Sequence, residues 1–128
     1  MSRAKAARKD CDLTQARQRL VDARQFLEAA ELLDAPDVVA TNAIHAAIAA
    51  ADAITCHALG ERSSGASHLG AVDLLRTIDA RLATALKRAL DRKTQAAYES
   101  TDVTPSTAAS CVKWARQLLA EAESRIET

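Results

Sequence analysis

Arg62 and His68 are the pair in this chain whose types and spacing best suit chemistry, with five residues between them in the link GERSSGAS. An arginine stabilises charge that develops on a scissile phosphate, and a histidine exchanges a proton with the attacking or leaving oxygen. The two together suffice for metal-free cleavage of RNA through its 2′-hydroxyl. The same residues equally describe an exposed loop arginine and a histidine at a helix start. Spacing alone does not separate the two readings.

A second set lies in the segment NAIHAAIAAADAITCHAL. At ~100° per residue, Asn42, His45, Asp52 and Cys56 share one narrow helical arc, Ile44, Ile48 and Ile54 a second, and Ala43, Ala46, Ala50 and Ala53 a third. A helix with so little charge belongs at the centre of a bundle, where a polar group left without a partner costs roughly 1–3 kcal/mol. Asn42, His45 and Asp52 either line a cleft that binds phosphate or base edges, with His45 titrating near neutrality, or bond to neighbouring helices or across a dimer face. A di-iron bundle would need Glu-x-x-His motifs on paired helices. None is present, so neither metal nor cofactor is expected.

The third set is Arg92-Lys93-Thr94-Gln95-Ala96-Ala97-Tyr98, which puts positive charge and a tyrosine at the end of a long helix. Tyr98 can stack on a base or hydrogen-bond a phosphate, or it can plug the bundle end. From Arg76 to Lys93 the basic residues Arg76, Arg81, Lys87, Arg88, Arg92 and Lys93 face only Asp79 and Asp91. Such a run is a solvated face or a phosphate-contacting surface. Trp114, beside Lys113 and Arg116, reads as a core or interface anchor.

The elements that must position these residues are helical. The chain has 128 residues, enough for one domain with its own core, and 48% of them are apolar but only 2% aromatic. An interior of Ala, Leu, Ile and Val favours close helix packing, and period-two runs that would mark strands are missing. Residues 12–33 read as a first helix, with Leu13, Ala16, Leu20, Ala23, Leu27 and Ala30 at three- and four-residue steps. Pro36 suits the first turn of a second helix that stops at Gly60. Ser67 is expected to cap a short third helix to about Ile78, Asp79 a fourth to about Tyr98, and Thr104-Pro105 a fifth to about Ile126. The expectation is an all-α, antiparallel up-and-down four-helix bundle with one additional short helix over residues 12–127, preceded by a basic tail over residues 1–11.

Seventeen basic and seventeen acidic residues cancel, so no global field draws the protein to nucleic acid or membrane. Cys11, Cys56 and Cys111 are scattered, with no CxxC, and read as reduced thiols. No apolar run suited to a signal peptide opens the chain, and Asn42, His45 and Asp52 make the second helix too polar for a membrane span. The expected location is the cytoplasm.

In order of elements the chain resembles the HEPN family of small helical bundles found in prokaryotic defence and toxin–antitoxin systems. The likeness rests on RQFLEAAELL, on NAIHAAIAAADAITCHALGERSSGASHLGAVDLL, on LKRALDRKTQAAYES and on the closing AASCVKWARQLLAEAES, and covers residues 12 to 126. The resemblance implies a homodimer whose bundles pair around a basic cleft, with RNA binding or ribonuclease activity. Many members carry Arg-x(4–6)-His near the fourth helix, followed closely by Tyr. Here Arg92 and Tyr98 stand in that neighbourhood, but Ala96 and Ala97 occupy the place of the histidine. Arg62-x5-His68 has the same formal spacing in an earlier link. The resemblance also implies a nucleotidyltransferase antitoxin as a partner that modifies the tyrosine, here Tyr98.

The leading expectation is therefore a catalytically degenerate, HEPN-like protein that binds RNA or a nucleotide. Arg62, His68, Arg92, Lys93 and Tyr98 would line its cleft, supported by Asn42, His45 and Asp52. The alternatives are an active metal-independent endoribonuclease using Arg62 and His68, and a non-catalytic helical dimerisation or adaptor protein.

Overall fold

A single alanine-rich helix organises the structure. The computed structural model describes residues 8–64, 68–98 and 103–126, which form β1 (Arg8–Asp10), α1 (Leu13–Leu32), α2 (Pro36–Leu59), β2 (Glu61–Ser63), α3 (Leu69–Arg76), α4 (Ala80–Tyr98) and α5 (Pro105–Ile126). The helical class read from the composition holds.

Fourteen of the 24 residues of α2 are buried, most of them alanine or isoleucine. Small side chains let neighbouring backbones approach closely, and α2 packs along α1, α4 and α5. By length and composition α2 could cross a bilayer, but 67% of its apolar window is already buried within this protein. Most of that apolar surface is spent on the protein's own core.

The helix ends obey local chemistry. Asp12 and Gln15 form a reciprocal capping box at α1: the Asp12 carboxylate accepts from the Gln15 amide and the Gln15 side chain accepts from the Asp12 amide, both at 2.8 Å. Pro36 opens α2. Gly60 closes it in the left-handed region at φ 69°, donating its N–H to the Cys56 carbonyl. Asp79 accepts from the amides of Arg81 and Leu82 at the start of α4, and Thr104 from that of Thr107 at the start of α5. The cap expected at Ser67 lies outside the described residues. α3 stops at Arg76 rather than Ile78, because Thr77 and Ile78 turn back in three-residue hydrogen bonds to Leu74 and Leu75.

Two expectations are corrected. The sequence makes strands improbable and reads residues 1–11 as a tail, yet β1 pairs antiparallel with β2, Arg8 opposite Ser63, Lys9 opposite Arg62 and Asp10 opposite Glu61. Two of these three pairs set like charges opposite each other, which opposes pairing. Arg8 answers this diagonally, with its Nη1 3.3 Å from Glu61 Oε2, and the ribbon is also held from its end. Cys11 donates its N–H to the Gly60 carbonyl, and Cys11 is disulfide-bonded to Cys56 in the last turn of α2. The second correction is this bond: two of the three cysteines are not reduced thiols, and the cysteines no longer argue for a reducing compartment. Cys111 alone is free and buried, and burial pushes its thiol up to about 11 against the opposing pull of Arg92.

Candidate functional site

The Gly60 turn and β2 carry Arg62 back toward the middle of α2, and the link then delivers His68 to the start of α3. Arg62 and His68 line one cavity of about 240 Å³, together with Arg19 of α1 and Asp52 of α2. The connector pair is thus brought to a single opening.

Asp52 anchors its wall. It is buried, and its Oδ2 accepts from Arg19 Nη2 at 3.1 Å while Arg62 Nη1 lies 4.0 Å away. Arg19 also donates to Asp22 at 2.9 Å, and its buried Nε finds no acceptor among the described residues. Burial raises the Asp52 carboxyl above its ordinary value, outweighing the downward pull of Arg19 and Arg62. One buried carboxylate thus orients two guanidiniums at the edge of a cavity.

From the other side comes α4. Lys93 Nζ lies 3.1 Å from His68 Nε2. An ammonium has only donors, so this contact requires a neutral imidazole presenting its Nε2 lone pair, with the proton on Nδ1. His68 is held below its ordinary value by burial first, then by Lys93 and His45. The His45 ring stacks on Phe26 of α1 with centroids 5.2 Å apart, and this partial cover, then Lys93 and Arg19, likewise lower its pKa. Arg19, His45, Arg62, His68 and Lys93 therefore gather from α1, α2, β2, α3 and α4.

Other expected site residues fall elsewhere. Asn42 turns its amide to the Val38 carbonyl of its own helix at 3.0 Å, while Cys56 is in the disulfide, so the helical arc is not one continuous polar seam. Arg92 lies on a different face of α4 from Lys93, beside Arg88 and Trp114. A step of one residue turns ~100° around a helix, which separates these neighbours in sequence. Tyr98 ends α4, and its side chain lies outside the described residues. Among the described residues no group of three His, Cys, Asp or Glu is placed to hold a metal ion.

Arg19 is the member that sequence reasoning missed. The available signal was its place roughly 60° from the Ala16, Leu20, Ala23 and Leu27 stripe, a boundary position where a long cation reaches a neighbouring helix. In comparisons with known proteins, no family model and no curated protein matches this chain.

Proposed function

We propose that this chain is a HEPN-like protein that binds RNA or a nucleotide through the Arg19, Arg62, His68 and Lys93 cleft, and that it is catalytically degenerate. The observation that carries this reading is that Arg19, Arg62 and His68 line one opening, with Asp52 buried in its wall and Lys93 3.1 Å from the His68 imidazole. A phosphate has acceptor oxygens for guanidinium and ammonium donors, and such charge-assisted contacts are the stronger kind of hydrogen bond.

The same geometry argues for binding without cleavage. Attack by a 2′-hydroxyl needs a base to take its proton. The Nε2 lone pair of His68 is engaged by Lys93, and Arg62 leans toward Asp52. In this reading the four long helices form an antiparallel up-and-down bundle, two copies pair as a homodimer, and the setting is a cytoplasmic toxin–antitoxin or defence system. A nucleotidyltransferase-type antitoxin acting on Tyr98 belongs to the same proposal.

The test is a uridine monophosphate titration followed through the His68 imidazole resonances, paired with RNA binding over a salt series. Binding should shift the His68 signals, and an Arg62→Ala/Lys93→Ala double variant should abolish the shift. Unmoved His68 resonances at low salt would end the proposal.

A second reading, an active metal-independent endoribonuclease, is favoured by one observation: Arg62 and His68 do line the same cavity. Incubation with RNA in EDTA separates the two. Cleavage lost in His68→Ala supports activity, and absence of cleavage supports the degenerate reading.

A further inference from the structure

A separate face of the molecule concentrates positive charge around its one tryptophan. Arg81, Ala85, Arg88 and Arg92 recur at three- and four-residue steps along α4, which aligns them on one side of the helix. Across from them α5 presents Lys113, Trp114 and Gln117. Between the two helices run adjoining depressions of about 300 and 380 Å³ that share Arg88 and Trp114. The inward side of α4 is the apolar one, with Leu82, Ala83, Leu86 and Ala89 buried, while Arg81, Arg88 and Arg92 are exposed.

We propose that this α4–α5 groove is a second binding site, which takes a single-stranded nucleic acid with its phosphates along Arg81, Arg88 and Arg92 and a base against Trp114. The site stands apart from the His68 cleft and does not depend on it. Four cations line the groove and one acid does, Asp91, whose carboxylate is engaged by Lys87 at 2.9 Å. Arg81, Arg88 and Lys113 make no ion pair among the described residues, so a polyanion would not have to displace an internal partner from them.

The spacing suits a chain better than a single ion. At 1.5 Å per residue, Arg81 and Arg92 stand about 16 Å apart along α4, enough for several successive phosphates. Trp114 is half-buried and packs against the core, so it is held in place as a platform. A fixed aromatic beside a row of cations is the combination that binds unpaired bases without regard to sequence. An acidic peptide would satisfy the arginines but would leave the indole without a flat partner. Duplexes, whose bases are already stacked on one another, would gain only the charge contacts.

The chain contains one tryptophan, so its emission reports on this groove alone. Full-length protein is titrated with oligo(U), oligo(dT), a blunt DNA duplex and oligoglutamate. The two single strands should quench Trp114, and their relative strengths show whether ribose or deoxyribose is preferred. The logarithm of affinity should fall with the logarithm of salt at a slope of about −2 to −3, as for three or four phosphate contacts on a single strand. Arg88→Glu, an exposed position checked by circular dichroism, should weaken quenching about tenfold or more. His68→Ala should leave it unchanged, so that failure of the cleft and failure of the groove read out separately. Absence of quenching by either single strand at low salt would overturn the proposal. So would equal quenching by duplex or oligoglutamate, or indifference to Arg88→Glu.

Discussion

Lys93 Nζ sits 3.1 Å from His68 Nε2, joining the start of α3 to the far part of α4. The contact exists only while the imidazole is neutral. Protonation removes the lone pair and sets two cations against each other, with His45 and Arg19 adding to the positive field.

Lys93→Met should therefore raise the His68 pKa toward its ordinary value, though not fully, because burial is the larger cause of its depression. An NMR titration of the imidazole checks this. An unchanged midpoint would show that Lys93 does not act on His68 in solution.

The same depression fixes a sign for stability. Between the lowered folded-state pKa of His68 and its ordinary 6.5, the unfolded chain binds more protons than the folded one. Stability contributed by His68 thus rises with pH through that window and is lost as pH falls through it. Asp52 runs the opposite way in acid, since its raised carboxyl takes up a proton more readily when folded. The comparison that isolates His68 is wild type against His68→Gln in denaturant melts. The gap between them should move in favour of wild type as pH climbs through the window.

Asp52→Ala should destabilise the fold by roughly 2–4 kcal/mol, because two guanidiniums lose the carboxylate that orients them. Asp52→Asn should cost less, since it keeps the shape and removes a charge that burial already opposes. Urea denaturation separates these outcomes, and equal losses would contradict the account of the wall.

Cys11→Ser should lower stability by about 2–4 kcal/mol through the closed loop of 45 residues, and reductant should do the same to wild type. Thiol titration in denaturant should find one reactive cysteine before reduction and three after it. Three before reduction would mean that the bond does not form. The β1–β2 ribbon depends on this tie, so amides of Glu61 to Ser63 should exchange faster in the variant.

Gly60→Ala should cost about 1–2 kcal/mol, as the φ of 69° is unfavourable for a residue with a Cβ. Space is not the obstacle, for the added carbon would meet the Cys11 carbonyl only at 3.8 Å. A thermal melt measures the loss, which should also loosen the ribbon carrying Arg62.

Periodicity and end chemistry were legible without coordinates. The three- and four-residue steps of Leu20, Ala23 and Leu27, Pro36 at the start of α2, Gly60 at its close, and Thr104 before α5 are decided within one or two helical turns. The ribbon was not legible, because Lys9 opposite Arg62 and Asp10 opposite Glu61 carry no strand pattern, and the ties that hold it, Arg8 to Glu61 and Cys11 to Cys56, join residues far apart in the chain.

Sequence by itself determined that the protein is built of helices, where most of them begin and end, and that α2 must be central, since each follows from the spacing of apolar residues and from local capping. Only the tertiary structure decided that Arg19 joins Arg62 and His68, that Lys93 faces them while Arg92 turns toward Trp114, and that Cys11 reaches Cys56. Those choices depend on how helices are rotated and placed against one another. Such rotations are set by the sum of many weak packing contacts between distant segments, and no short stretch of residues records that sum.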